Sequence, residues 1–159
     1  MTVLLTSNLD AYSRFALTMI LGRFPEWEPF GVVQTRPDGA SSWVEFNIPC
    51  PSGATEMGLW VSTDGAELSV GFHTHHSHFT DYDTRLNPEQ IEAGLDHAAA
   101  YLEDRCGTVS WYQDERLVGT TSCELPLSGP LPRMFSQLPD NRATLRSWSG
   151  RFDRDEPSV

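Results

Sequence analysis

Residues 57–72, MGLWVSTDGAELSVGF, read as two short strands joined by a turn. Met57, Leu59 and Val61 share one face of the first, and Leu68, Val70 and Phe72 share one face of the second, which is the two-residue period of a half-buried strand. Thr63-Asp64-Gly65 between them supplies the positive-φ position that a hairpin connection needs. Immediately upstream, Val44, Phe46 and Ile48 alternate with Trp43, Glu45 and Asn47 until Pro49 and Pro51 stop the pattern. Three antiparallel strands in a meander follow, with a further short strand expected at Phe30–Gln34 and a turn at Pro37-Asp38-Gly39.

A helix is expected on each side of this meander. Leu9, Tyr12, Ala16, Met19 and Ile20 recur at helical spacing over residues 8–22, with Ser7 or Asn8 as the cap and Gly22 and Pro25 closing the run. On the other side Asn87 is a good N-cap, Pro88 suits the first helical position, and Gln90 completes a capping-box pattern. Ile91, Leu95, Ala98 and Leu102 form one stripe, and Gly107 stands where a left-handed C-terminal cap would fall, so the predicted helix spans 88–105. Val109 and Trp111, a polar turn at Gln113–Glu115 and a return at Leu117–Ser122 make a second hairpin. Residues 126–139 read as an ordered loop, Arg142–Phe152 as a last strand, and 153–159 as a charged, frayed tail. The fold class is therefore α+β: an antiparallel sheet of about five to six strands with two main helices, in the order α-β-β-β-α-β-β-(loop)-β. A chain of 159 residues fits one domain of this kind.

Composition narrows the function classes. Twenty-two acidic side chains face 11 basic ones, leaving a formal net charge of -11, a field that makes nucleic acid and anionic membrane poor partners. The acidity serves solubility or steers the chain toward a basic partner. All the basic residues are arginines, which carries no mechanism by itself. Cys50, Cys106 and Cys123 are too few and too far apart for a disulfide framework or a CxxC metal site, and Cys50, between two prolines, reads as an exposed turn thiol. The N-terminal residues lack a basic, apolar leader pattern, so a cytoplasmic location is expected.

Four of the five histidines lie in GFHTHHSHF, residues 71–79, followed by Asp81 and Asp83. If the strand runs on from Leu68, His73 and His75 share the face opposite Val70 and Phe72, and such a pair can chelate zinc. The pattern invites comparison with the His-x-His-x-Asp-His signature of metallo-β-lactamase-like hydrolases, although Ser77 stands at the aspartate position and only His97 remains elsewhere. A metal-binding protein or metal-dependent hydrolase using His73, His75, His76 and His78 is therefore the alternative reading, with zinc as its cofactor. The favoured reading has no cofactor and no catalytic residues, and the histidines make hydrogen bonds and partner contacts. No Gly-x-Ser-x-Gly elbow and no phosphate-cradling glycine loop is present. Trp43, Trp60, Trp111 and Trp148 all fall on predicted strands; they are core if both sheet faces are covered, or an aromatic surface rimmed by Glu45, Glu67 and the histidines if one is open.

The element order, with GFHTHHSHF before the second helix and RSWSGRFDRD near the C-terminus, resembles the small acidic immunity proteins of bacterial polymorphic-toxin systems over Trp43–Asp155. That resemblance implies a non-enzymatic inhibitor that binds a cognate toxin domain, a basic one where the toxin acts on nucleic acid. Exposure arguments place the contact at His75, His78, Asp81, Tyr82 and Asp83.

Overall fold

A computed structural model describes residues 8–51, 53, 58–80, 86–132 and 141–156. The α+β class holds, but the strands form two antiparallel sheets rather than one. The first is a five-stranded meander, β1 (Gly31–Thr35), β2 (Ser42–Ile48), β3 (Leu59–Ser62), β4 (Leu68–Phe72) and β5 (His75–Phe79), in chain order. The second contains β6 (Cys106–Gln113), β7 (Arg116–Glu124), β8 (Asn141–Arg146) and β9 (Arg154–Glu156), in the order β7-β6-β8-β9. Helix α1 (Ala11–Arg23) precedes the first sheet and α2 (Pro88–Leu102) connects the two. No helix among the described residues is long and apolar enough to cross a membrane.

Alternation in β2, β3 and β4 carries the main core. Val44, Phe46, Leu59, Val61, Leu68, Val70 and Phe72 are all fully buried on one face, beneath Ala16 and Ile20 of α1 and Ile91, Leu95 and Ala98 of α2. Met57 lies outside the described residues. Helix α1 begins later than expected because Asp10, not Ser7 or Asn8, caps it, its carboxylate accepting from the Ser13 amide at 2.7 Å. Ser13, fully buried, is tied to the sheet: the Thr63 hydroxyl donates to Ser13 Oγ at 2.8 Å and accepts from the Val44 amide at 3.1 Å. Between α1 and β1, Pro25–Phe30 winds into a 3₁₀ turn that drops Trp27 into the core, stacked on Phe24 at 4.1 Å.

Helix α2 starts as its sequence dictates, with the Asn87 side chain accepting from the Glu89 amide at 2.9 Å. It ends at Leu102, before the expected Gly107, because Asp104 itself takes the left-handed conformation at φ 53°. Gly107 belongs to β6, where a Cβ would sit 2.8 Å from the backbone carbonyl oxygen of Arg146. Gly107→Ala should therefore destabilise the chain by about 1–3 kcal/mol, the usual cost of overpacking a close contact. A urea melt with an unchanged midpoint would contradict this.

Three further expectations are corrected. The strand from Leu68 stops at Phe72, since His73 and Thr74 form a two-residue turn with His73 at φ 56°, and the chain returns as β5. Arg142–Phe152 is not one strand: β8 ends at Arg146, and the chain folds back so that Arg154–Glu156 pairs with Ala143–Leu145. Three residues of the expected frayed tail are thus an edge strand, and 157–159 lie outside the described residues. Finally, Cys50 is buried, its thiol donating to the Trp148 carbonyl at 3.1 Å.

The two sheets meet along a hydroxyl seam. On β6, Val109 and Trp111 face a small second core with Leu145 and Leu131, as their alternation suggests. The opposite face, Thr108 and Ser110, is also fully buried, because it abuts the β4–β5 hairpin. Thr108 donates to the Phe72 carbonyl at 3.0 Å, and the Thr74 and Ser110 hydroxyls lie 2.5 Å apart. Small hydroxyl side chains suit this position because they bridge closely packed backbones while satisfying their own hydrogen bonds.

Candidate functional site: the outer face of the first sheet

Both helices pack on one face of the first sheet, and among the described residues no helix packs on the other. Pairing register arranges that outer face in rows. Val32, Glu45, Ser62, Ser69 and His78 lie side by side across the five strands, and Asn47, Trp60, Gly71 and His76 form the neighbouring row. Trp43 and Gln34 are paired at the β1 side. Two of the four tryptophans expected on strands thus lie on this face, whereas Trp111 and Trp148, the latter beyond the end of β8, are buried elsewhere.

Polar groups hold the aromatic side chains in place. The indole N–H of Trp43 donates to Glu45 Oε1 at 3.1 Å, Gln34 donates to Glu45 Oε2 at 3.2 Å, and the Arg36 guanidinium stacks 5.5 Å above the Trp43 ring. Trp60 lies across Gly71, where a Cβ would come within 3.0 Å of the indole Cε3 and 3.3 Å of His76 Cβ. Gly71 was not among the candidate residues, yet an isolated glycine in an alternating strand is the usual sign of such a close approach. Beside Trp60 opens a cleft of about 320 Å³, bounded by Asn47, Gly58 and Gly71 and by the turn at His73–His76.

The histidines do not act as one group. His76 and His78 project from the outer face with their rings edge to face at 4.9 Å. His75 points to the opposite side, sharing Nδ1 with the Thr120 hydroxyl at 3.0 Å and Nε2 with Ser77 at 3.3 Å. His73 occupies the turn. The pleat therefore divides the four residues of the zinc alternative, and the His73–His75 pair of the extended-strand reading does not form. Among the described residues no group of three or more His, Cys, Asp or Glu side chains is placed to hold a metal ion. Of the expected contact residues, His78 is exposed on the outer face, His75 is turned toward the second sheet, and Asp81, Tyr82 and Asp83 lie outside the described residues.

Ser69, His78 and Glu67 lie within bonding distance of one another, with His78 Nδ1 at 2.9 Å from the Ser69 hydroxyl and 2.6 Å from Glu67 Oε1. Both contacts use the same ring nitrogen. A nucleophile triad needs the hydroxyl and the carboxylate on opposite nitrogens, so that one orients the ring while the other gives up its proton. This trio instead fixes the orientation of His78. The thiols are equally unsuited to nucleophilic attack, since burial pushes both Cys106 and Cys123 up, away from the thiolate form.

Inside the sheet junction, His97 of α2 packs edge-on to Tyr101 at 4.9 Å and beside Phe79 at 5.5 Å. Its Nε2 is buried with no hydrogen-bond partner among the described residues. Burial lowers the affinity of His97 for a proton, and burial together with the neighbouring His76 and His97 does the same to His75. A histidine depressed in the folded state stabilises it above the unfolded pKa near 6.5, and that contribution is lost as pH falls through the folded value. The unfolding free energy should thus decline as pH drops below about 6.5. His97→Phe, which keeps the ring but removes the titration, should flatten that decline; identical pH slopes for the two proteins would refute the assignment.

The described residues define a two-sheet α+β protein in which one face of the first sheet is covered by no described helix and carries Trp43, Trp60, Glu45, His76 and His78. Compared with known proteins, the chain matches no family model, no curated protein and no solved structure.

Proposed function

We propose that this chain is a non-enzymatic immunity protein that binds and neutralises a cognate bacterial toxin domain, with the outer face of its first sheet as the docking surface. One observation carries the reading: Trp43 and Trp60 lie on a sheet face that no described helix covers, beside Glu45 and Glu67. Tryptophan is among the residues enriched at the energetic hot spots of protein interfaces. The net charge of -11 accelerates encounter with a basic partner and disfavours acidic ones. Of the expected contact set, His78 lies on this surface among the described residues.

The test is neutralisation. A C-terminal toxin domain that copurifies stoichiometrically with the chain is expressed in a susceptible host, alone and together with the chain. Restored growth on coexpression, lost when the outer face is altered, is the expected result. Growth arrest that coexpression leaves unchanged would overturn the reading.

A further inference from the structure

The cleft beside Trp60 differs in character from the part of the face around Glu45 and Glu67. Its described lining includes Trp60, Asn47, His76 and the backbone of Gly71 and of the His73–Thr74 turn, with no carboxylate and no arginine. Its volume of about 320 Å³ is at the lower end of sites that enclose a small ligand, which commonly run from about 300 to 1,000 Å³. A single side chain fits such a space; a folded segment does not.

We propose that this cleft seats one arginine side chain of the partner, its guanidinium stacked on the Trp60 indole. The inference rests on the docking surface proposed above and names the group it receives. Charge complementarity selects a basic partner, because the chain carries -11 and an arginine or lysine is the side chain such a partner presents most readily. Between those two, the site favours the planar cation. A guanidinium lies flat on an indole and directs its five N–H donors outward in the ring plane, whereas an ammonium is a hydrated point charge.

One side-chain acceptor and one backbone acceptor border the cleft. Asn47, directly across from Trp60 on β2, offers an amide oxygen. The His75 carbonyl oxygen lies 3.3 Å from the point where a Gly71 Cβ would be, and so is close to the floor of the cleft. Neutral imidazoles accept through one ring nitrogen. Glu45, two positions along β2 from Asn47 and on the same face, adds a long-range attraction without occupying the cleft. Gly71 lets the indole lie close to the strand, because a Cβ there would come within 3.0 Å of Cε3 and force a shift.

The binding can be read without any partner protein. The chain, labelled with ¹⁵N, is titrated with N-acetyl-arginine N-methylamide, and the indole N–H resonance of Trp60 is assigned by its loss in Trp60→Phe. N-acetyl-lysine N-methylamide and methyl glucoside are titrated in parallel. Saturable shifts of the Trp60 indole with the arginine compound, about five-fold tighter than with the lysine compound, and weakened in Asn47→Ala, are expected. No saturable shift, equal binding of both cations, or a stronger response to the glucoside would overturn the proposal. Because the titration needs no toxin, a negative result alongside successful neutralisation removes the arginine seat alone, and the reverse pattern removes the proposed function alone.

Discussion

Phe72→Ala is expected to lower the free energy of unfolding by about 3–5 kcal/mol, the range for truncating a fully buried aromatic residue. Phe72 has no exposed surface and contacts Tyr101 of α2 at 5.0 Å and Trp148 at 5.9 Å between ring centres. Its carbonyl also accepts the Thr108 hydroxyl. One residue therefore joins the first sheet, the second helix and the entry to the second sheet. Little can collapse into the space it would leave, because three elements with fixed hydrogen bonds border it. Domains are stable by only about 5–15 kcal/mol, so the variant should be close to its unfolding limit at physiological temperature. Urea denaturation measures the change, and a loss below about 1 kcal/mol would mean that the junction relaxes freely and that the two sheets are not coupled through this ring.

If the outer face is the docking surface proposed above, Trp60→Ala is expected to weaken binding of the proposed toxin partner by at least about 30-fold, equivalent to a hot spot of about 2 kcal/mol. The indole is held over Gly71 and flanked by His76, so it meets a partner without first losing rotational freedom, which is where a rigid anchor gains its advantage. Val32→Ala, an exposed change on the same sheet face at the far edge strand, serves as the comparison and should alter affinity by less than about five-fold. Calorimetric titration of wild type and both variants decides the matter. Equal affinities for wild type and Trp60→Ala would place the contact elsewhere on the molecule.

Much of the local structure was legible because it depends on near neighbours. Asn87 and Pro88 specify the start of α2 through one cap bond and one fixed φ. Alternation in 43–48, 59–61 and 68–72 marks the strands and their buried side, since one face of the pleat must leave water. The turn at Asp114–Glu115, both at positive φ, was visible as a short polar break between two apolar runs.

The site was less legible. His73-Thr74 carries no glycine or asparagine, so nothing in the residues themselves announces a reversal, and the natural expectation was a continuing strand. The left-handed His73 is accompanied by the Thr74–Ser110 contact, whose partner is 36 residues away. That reversal moves His75 inward and His76 and His78 outward, and it opens the cleft beside Trp60. Cys50 is a similar case: its flanking prolines suggested exposure, but the Trp148 backbone, 98 residues distant, covers it.

The sequence by itself determined the class of fold, the helices, the buried face of each main strand and the net acidity, because these follow from periodicity, capping and composition. Only the tertiary structure decided that the strands divide into two sheets, that Thr108 and Ser110 are interior rather than solvent-facing, and that Trp43 and Trp60 lie half-buried on a face no described helix covers while Trp111 and Trp148 are buried. Those outcomes depend on which element packs against which face. A two-residue period states that the faces differ, but what covers each face depends on contacts between residues far apart in the chain.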